Sequence, residues 1–122
     1  MKSILIVEDS TTTRSLIRAV IEELGDFNIV EAPTGFDALK LLPAQDFDLV
    51  VTDINMPDIN GLELINFVKS NPRYSSIPLI IVTTERSEED KKRGMALGAT
   101  AYVTKPFKAL ELQDTVKRVM NL

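Results

Sequence analysis

The chain of 122 residues contains no cysteine and no histidine. Without cysteine it can form no disulfide bond, present no thiol nucleophile and bind no metal through sulfur. Without histidine it has no imidazole acid or base, no histidine-bound zinc and no phosphohistidine of its own. The two absences therefore exclude disulfide scaffolds, thiol or imidazole catalysis and the common zinc sites.

Long hydrophobic runs and an excess of positive charge are also missing. The apolar runs have the length of strands, far short of a membrane span, and the opening residues MKSILIVEDS do not resemble a signal peptide. The net charge is −4 and the isoelectric point is about 4.8. No basic patch supports direct nucleic-acid binding. We therefore expect a cytoplasmic domain that contacts neither membranes nor nucleic acid directly.

The composition is that of an ordinary globular domain, with 44% apolar and 26% charged residues. A chain of this length is the usual size of one domain and is long enough to bury a real core. No linker, low-complexity segment or repeat larger than a strand–helix unit interrupts it. We expect residues 1–122 to form a single domain.

Five short apolar runs are predicted as strands, over residues 3–7, 27–32, 48–53, 78–84 and 101–105. They show no alternation of polar and apolar residues, which indicates that both faces of the sheet are covered. A helical pattern follows each run. The sequence thus predicts five βα units, with a parallel sheet and helices on both of its sides.

The predicted helices are marked by apolar positions at helical spacing and by capping residues. The apolar positions are Leu16, Ile17, Val20, Ile21, Leu24, Leu62, Ile65, Val68, Leu112, Val116 and Val119. The expected starts and stops are Ser10, Thr34 and Ser87, and Gly25, Pro43, Pro72 and Gly98. The second and fifth helices are predicted over residues 34–42 and 110–120. Met95, Leu97 and Val116 are assigned to the core or its edge, and Lys91, Lys92 and Arg93 to a solvated helix face.

Polar side chains follow at the carboxyl ends of four predicted strands: Glu8, Asp9, Asp53, Thr83 and Lys105. Parallel strands present their carboxyl ends at one edge of the sheet, where ligands of such folds bind. Each residue alone has an ordinary interpretation as a turn, a helix cap, a strand residue or a surface lysine. Their placement at one edge instead favours a site, whereas Asp58, Asn60 and Thr84 are assigned to structural roles.

The chemistry of this set is restrictive. Three neighbouring carboxylates cannot all be ionised without a cation, and a hard divalent ion such as Mg²⁺ prefers oxygen ligands. Lys105 adds a second positive charge, and Thr83 adds a hydroxyl donor. A carboxylate between a metal and a lysine is a plausible nucleophile toward phosphorus.

Four motifs carry a family resemblance: VEDS, TDINMPDINGLEL, IIVTTE and AYVTKPF. In this order and at this spacing, the chain resembles the receiver domain of bacterial two-component response regulators, and its chemotaxis members in particular. The resemblance covers residues 2–120. It implies a flavodoxin-like, doubly wound (βα)5 fold with a five-stranded parallel sheet of order 2-1-3-4-5.

The resemblance also implies roles at the site. Asp53 is expected to accept the phosphoryl group, Lys105 to pair with the phosphoryl oxygens, and Thr83 to move its hydroxyl toward them. Tyr102 is expected to follow Thr83, although the residue alone is equally compatible with packing. The Lys105–Pro106 peptide is expected to be cis. Asn55 and Glu85 are expected to flank the water that hydrolyses the adduct.

The implied metal is Mg²⁺ or Mn²⁺. Its direct ligands are expected to be Asp9, Asp53 and the backbone carbonyl of Asn55, with Glu8 acting through a metal-bound water. Glu8 stands where aspartate is common in the family. Its longer side chain leaves the position and affinity of the metal open.

The implied partners are a histidine kinase or phosphotransfer protein and a downstream protein target. The target is expected on the face of helix 4, strand 5 and helix 5, with Lys91, Lys92, Tyr102 and Lys108. The chain is expected to be a monomer or a weak, phosphorylation-dependent dimer, and a signalling switch rather than an enzyme. Two alternatives are an Mg²⁺-dependent phosphohydrolase, which Asn55 disfavours because it offers no general acid, and a receiver-like scaffold that takes no phosphate.

Overall fold

The computed structural model describes residues 1–84 and 88–122. Five strands and five helices alternate along these residues: β1 (Lys2–Val7), α1 (Thr11–Glu22), β2 (Phe27–Ala32), α2 (Gly35–Leu41), β3 (Leu49–Thr52), α3 (Gly61–Ser70), β4 (Leu79–Thr84), α4 (Glu88–Leu97), β5 (Ala101–Lys105) and α5 (Ala109–Met120). The predicted elements are confirmed, with ends that shift by one or two residues. The cap predicted at Ser87 and the role predicted for Glu85 lie outside the described residues.

The strands form one parallel sheet in the order β2-β1-β3-β4-β5. The order predicted from the resemblance is therefore confirmed. In this order β1 and β3 are neighbours, while α1 and α2 leave toward opposite faces. The carboxyl ends of β1, β3, β4 and β5 meet at one edge, which is the place where ligands bind to such sheets.

Two apolar cores cover the two faces of the sheet. One contains the buried side chains of α1 and α5, namely Ile17, Val20, Ile21, Leu112, Val116 and Met120. The other contains those of α2 and α3, namely Ala38, Leu64, Ile65 and Val68. The strands supply side chains to both cores in alternation, which explains their continuous apolar runs.

Helix starts are fixed by the side chains that the sequence predicts. The Thr13 N–H donates to Ser10 Oγ at 3.3 Å, and the Asp37 N–H donates to Thr34 Oγ1 at 3.0 Å. The Glu63 N–H donates to Asn60 Oδ1 at 2.9 Å at the start of α3. Each oxygen satisfies a first-turn N–H that has no partner within the helix.

Helix α4 differs from the prediction. Lys91 is buried, with 4% of its surface exposed, whereas Met95 and Leu97 are each 37% exposed. The sheet-facing side of α4 passes through Lys91 and Gly94, and a Cβ atom on Gly94 would collide with Ile81. Of the two positions predicted for Met95 and Leu97, the core or its edge, the core is therefore excluded, and the solvated assignment of Lys91 is wrong. Lys92 and Arg93 are exposed as predicted.

Helix α1 also differs from the prediction, at one residue. Ile17, Val20 and Ile21 are buried, but Leu16 is 51% exposed. Leu16 lies on the rim of α1 beside Phe107, where the two residues help to line an open cavity of about 340 Å³. The apolar stripe that faces the core is thus narrower than the sequence pattern indicates.

Candidate functional site

Glu8 and Asp53 follow neighbouring strands and are held by backbone bonds that continue the sheet. The Glu8 N–H donates to the Ala32 carbonyl at 3.1 Å, and the Asp53 N–H donates to the Val7 carbonyl at 3.1 Å. These bonds fix both backbones at the carboxyl edge of the sheet. Both side chains are buried, with only 1% of Glu8 and 8% of Asp53 exposed.

Three carboxylates meet at this edge, as the sequence predicts. Glu8, Asp9 and Asp53 each offer an oxygen, and these oxygens lie within 4.8 Å of one another. Asp9 is exposed while the other two are buried. The cluster therefore has an open side at Asp9 and a closed side at Glu8.

Lys105 joins the cluster from the end of β5. Its Nζ lies 2.7 Å from Glu8 Oε1 and 3.2 Å from Asp53 Oδ2. The other oxygen of Asp53 accepts the Ile54 N–H at 2.7 Å. Lys105 is thus a charge partner of two buried carboxylates rather than a surface lysine, and its peptide bond to Pro106 is cis as the resemblance implies.

Burial and charge move two pKa values at this site. Burial raises the pKa of Glu8 to about 7, against the opposite effect of its hydrogen bond with Lys105. Burial acts against the charged form of Lys105, but the hydrogen bond to Glu8 and the charge of Asp53 outweigh it, so the pKa of Lys105 is raised. Lys105 therefore stays cationic, while Glu8 takes up a proton more easily than an ordinary glutamate does.

The donor set fits a hard divalent cation. All three side chains offer carboxylate oxygens, which Mg²⁺ and Mn²⁺ prefer. Glu8 Oε2 is buried and makes no hydrogen bond within residues 1–84 and 88–122. A buried carboxylate oxygen without a partner is costly, and a metal-bound water is a group that could satisfy it.

Thr83 and Thr84 have different surroundings. Thr83 is fully buried near the carboxyl end of β4, and its Oγ1 has no hydrogen-bond partner in the described part of the chain. Thr84 is exposed. A buried hydroxyl without a partner at the site edge is able to form a new hydrogen bond, and this supports Thr83 as the residue that responds to a ligand.

Asn55 and Gly61 belong to the loop between β3 and α3. Asn55 is exposed, two residues after Asp53. The Gly61 N–H donates to the Ile54 carbonyl at 2.8 Å, and a Cβ atom on Gly61 would collide with the Asp53 carbonyl. The loop backbone that carries Asp53 therefore lies directly against the start of α3. Metal binding by the Asn55 carbonyl stays a prediction.

Tyr102 lies away from the acid cluster, on β5. Its side chain is exposed, and 46% of its surface is accessible. The sequence left its role open between packing and switching, and this position rules out a fully packed core residue. Tyr102 also lines a broad surface cavity of about 770 Å³, together with Lys108, Glu111 and Arg118.

Arg14 is a site residue that the sequence did not indicate. Its Nη1 donates to the Glu8 carbonyl at 2.8 Å, and its Nε pairs with Glu31 at 3.1 Å. The arginine thus ties α1 to the backbone that carries Glu8. Glu8 follows β1 and Glu31 lies on β2, so no local motif around Arg14 could have predicted these partners.

No helix of the described residues is long and apolar enough to cross a membrane. The model of the response regulator receiver domain matches residues 4–117 of this chain. The chain belongs to the receiver domain family. The fold, the resemblance and the site geometry thus agree, and receiver domains of this type are signalling switches rather than classical enzymes.

Similar proteins include chemotaxis regulators. The chain is 35% identical to the chemotaxis protein CheY of Pseudomonas aeruginosa over 118 residues, which is 97% of this chain and 95% of that protein. The structure of CheY4 from Vibrio cholerae, at 34% identity, covers 98% of both chains with a TM-score of 0.89. The receiver domain of a Pseudomonas aeruginosa sensor histidine kinase has 25% identity over 99% of this chain and 98% of its own, with a TM-score of 0.88. That domain was crystallised with a magnesium ion in its active-site cleft.

Proposed function

We propose that this chain is a phosphorylation-dependent signalling switch whose phosphoacceptor is Asp53. The observation that carries the proposal is the position of the Lys105 ammonium between the buried carboxylates of Asp53 and Glu8. In a structural ion pair one carboxylate would neutralise the lysine. Here the excess of negative charge over positive charge supports binding of a divalent cation and then of a phosphoryl group.

In the proposed reaction, an oxygen of Asp53 forms a bond to the phosphorus of a phosphohistidine on the donor protein. The phosphorus–nitrogen bond breaks, and the imidazole leaves with the electron pair and takes up a proton. The Ile54 N–H holds Asp53 Oδ1, so the carboxylate is oriented before reaction. Lys105 pairs with the phosphoryl oxygens, and the Thr83 hydroxyl donates to one of them.

Asp9, Asp53 and the Asn55 carbonyl are the proposed metal ligands, with Glu8 holding a metal-bound water. When bound, Mg²⁺ or Mn²⁺ supplies positive charge that neutralises the carboxylates and the incoming phosphoryl oxygens. The buried Glu8 Oε2, which has no hydrogen bond within the described residues, supports an indirect role for Glu8. Asp9, at the open side of the cluster, can be reached by an entering ion.

The proposed output is a change in partner binding at the α4–β5–α5 face, the surface that carries Lys92, Tyr102 and Lys108. Thr83 lies on β4 beside β5, so movement of its side chain toward Asp53 changes the space available to Tyr102. The donor is a histidine kinase or phosphotransfer protein, and the target is a downstream protein or a second copy of this chain. We further propose that residues 1–122 are a single receiver domain that acts in the cytoplasm.

Acetyl phosphate with Mg²⁺ tests the proposal without a partner protein. Intact-mass measurement should show the addition of one phosphoryl group to the wild-type chain. Asp53→Asn should abolish it, because the nucleophile is lost, and Asp9→Ala should abolish both metal binding and labelling. Asp46→Asn is the matched control, since Asp46 is an exposed aspartate that lies outside the acid cluster, and it should be labelled normally.

Two outcomes would contradict the proposal. Labelling that persists in Asp53→Asn would move the acceptor to another residue. Continuous release of phosphate from small phosphate esters, with no labelled protein, would instead favour the phosphohydrolase.

A further inference from the structure

Lys91 makes a set of contacts that a surface lysine does not make. Its Nζ donates to Thr104 Oγ1 at 2.8 Å and lies 3.5 Å from Glu88 Oε2. The same nitrogen is 5.1 Å from the centroid of the Tyr102 ring. The side chain is only 6% exposed, so its ammonium is largely removed from water and, among the residues that the structure describes, depends on these three groups.

The two β5 partners of Lys91 share one face of the sheet. Tyr102 and Thr104 are two residues apart on a strand, and their side chains therefore project to the same side. Tyr102 is paired in register with Ile81, which belongs to the core on the α2 and α3 side. Lys91 thus connects α4 to β5 through contacts with two successive residues on that face, Tyr102 and Thr104.

Thr104 connects this contact to the site. Thr104 is paired in register with Thr83 on β4, so the two side chains are neighbours on the same sheet face. Thr83 is the residue whose buried hydroxyl has no hydrogen bond within the described chain. A continuous series of neighbours therefore runs from Thr83, near the carboxyl edge that carries the acid cluster, through Thr104 to Lys91 and Tyr102.

One contact of Lys91 depends on the position of the Tyr102 side chain. The ring lies beside the ammonium while Tyr102 is in its outward, half-exposed position. If Tyr102 turned inward, the ring would leave the ammonium, and a buried cation would lose one of the three interactions that it makes with residues 1–84 and 88–122. Lys91 consequently stabilises the outward arrangement relative to any inward one.

We propose that Lys91 is a positioning residue that holds Tyr102 outward and so opposes the change that phosphorylation of Asp53 produces at the α4–β5–α5 face. The inference rests on the proposed function. It names Lys91 as the residue that opposes the change at the α4–β5–α5 face and that phosphorylation of Asp53 must overcome. Coupling between sites is reciprocal, since a group that favours one arrangement weakens the binding of every ligand that favours the other arrangement. Removing the ammonium should therefore tighten the binding of a phosphoryl analogue at a distance.

Lys91→Met tests this, because methionine keeps an apolar stem and lacks the ammonium. The probe is beryllofluoride with Mg²⁺, and the chain carries 3-fluorotyrosine at its two tyrosines, whose fluorine resonances are assigned with Tyr74→Phe. Without beryllofluoride, the Tyr102 resonance of Lys91→Met should move toward its beryllofluoride-bound position. Beryllofluoride affinity should increase by about fivefold, at the lower end of ordinary couplings.

Lys92→Met is the matched control, since Lys92 is the exposed neighbour on the same helix, and it should behave as wild type. Thr104→Val removes the acceptor of the Lys91 hydrogen bond with little change of shape. It should shift the resonance and the affinity in the same direction, and it decides the question if Lys91→Met fails to fold. A purely structural role predicts weaker beryllofluoride binding, which is the opposite sign.

The remaining outcomes separate this inference from the proposed function. If Tyr102 of the wild type responds to beryllofluoride but Lys91→Met and Thr104→Val match the wild type in resonance and affinity, the inference alone is overturned. If the wild type binds no beryllofluoride, or binds it with no response of Tyr102, the proposed function fails and the inference fails with it.

Discussion

Asp58 shows how one exposed carboxylate can join the functional loop to its neighbouring helix. Its Oδ1 accepts the Gly35 N–H at 3.2 Å, and its Oδ2 accepts the Phe36 N–H at 2.9 Å. Both donors belong to the start of α2, where helical N–H groups have no partner within the helix. The loop that begins at Asp53 is thereby tied to α2 through a residue that takes no part in the acid cluster.

The bonds of Asp58 make stability depend on pH. The backbone N–H of Phe36, more than the other donors, holds the pKa of this carboxyl below its usual value of 3.8. A lowered folded-state pKa means that the stabilisation is present above pH 3.8 and is lost as the pH falls through the folded value. Asp58→Asn should therefore unfold at lower urea concentration than wild type at pH 7, and the difference should shrink toward pH 3.

Urea unfolding at several pH values measures this effect. Asp46→Asn, at an exposed acid before β3, is the control for a general change of net charge. A difference between wild type and Asp58→Asn that is equally large at pH 7 and pH 3 would show that the ionised carboxylate is not what holds the loop.

Whether a site residue could be predicted from the sequence depends on where its contact partners lie in the fold. Asp53 and Lys105 were predictable because each ends a strand, and the ends of parallel strands share an edge. Arg14 and Lys91 lie inside helices, and each has partners on another element, β2 for Arg14 and β5 for Lys91. Their local patterns are those of solvated residues, so only the packed structure distinguishes them.

At the scale of elements, the β3–α3 loop is restricted by the first residue of α3. Gly61 lies so close to Asp53 and Ile54 that a Cβ atom would meet backbone rather than a flexible side chain. The clash cannot be relieved without moving either the loop or the helix. The glycine thus fixes the distance between α3 and the backbone that presents Asp53.

Gly61→Ala should consequently displace the Asp53 loop. We expect the free energy of unfolding to fall by about 1–3 kcal/mol, as for other substitutions that overfill a packed site. Labelling by acetyl phosphate should slow even at temperatures where the variant is fully folded, because Asp53 is misplaced. Urea unfolding measures the change in the free energy of unfolding, and intact mass measures the rate of labelling.

Glu63→Ala is the control, since Glu63 lies in the same first turn but is exposed. A Gly61→Ala chain that is as stable and as readily labelled as wild type would mean that the loop accommodates the methyl group. The glycine would then have no part in placing Asp53.

The elements themselves were predictable to within one or two residues, except for the face that α4 presents. Strand runs and capping residues are local signals, and tertiary packing did not override them. The burial of α4 depends instead on Gly94 and its close approach to Ile81. A glycine within a polar helix gave no sequence signal for a buried lysine one turn earlier.

At the scale of the whole molecule, the site and the proposed output face lie on the same sheet but are reached through different elements. Asp53 follows β3, and Tyr102 lies two strands away on β5, with β4 between them. The strands form a closely packed layer between two apolar cores. A packed layer responds to a local change by switching between discrete arrangements rather than by continuous deformation.

Beryllofluoride with Mg²⁺ should therefore change amide exchange in two regions and leave a third unchanged. The first is the loop of residues 53–61, and the second is residues 88–117, which contain α4, β5 and most of α5. Residues 27–32, which form β2 at the far edge of the sheet, should exchange as before. A coupling of about 1–3 kcal/mol between the site and a partner at the α4–β5–α5 face would be ordinary for such a switch.

Asp53→Asn under the same conditions is the control, since it removes the group to which beryllofluoride attaches. The wild-type pattern should then be absent from both responding regions. The decisive comparison is between the two responding regions of the wild type. Beryllofluoride binding at Asp53 and transmission of that binding to the α4–β5–α5 face are separate properties of the molecule. Changes confined to residues 53–61, with none over residues 88–117, would leave the chain as a phosphoacceptor whose state is not transmitted to the proposed face.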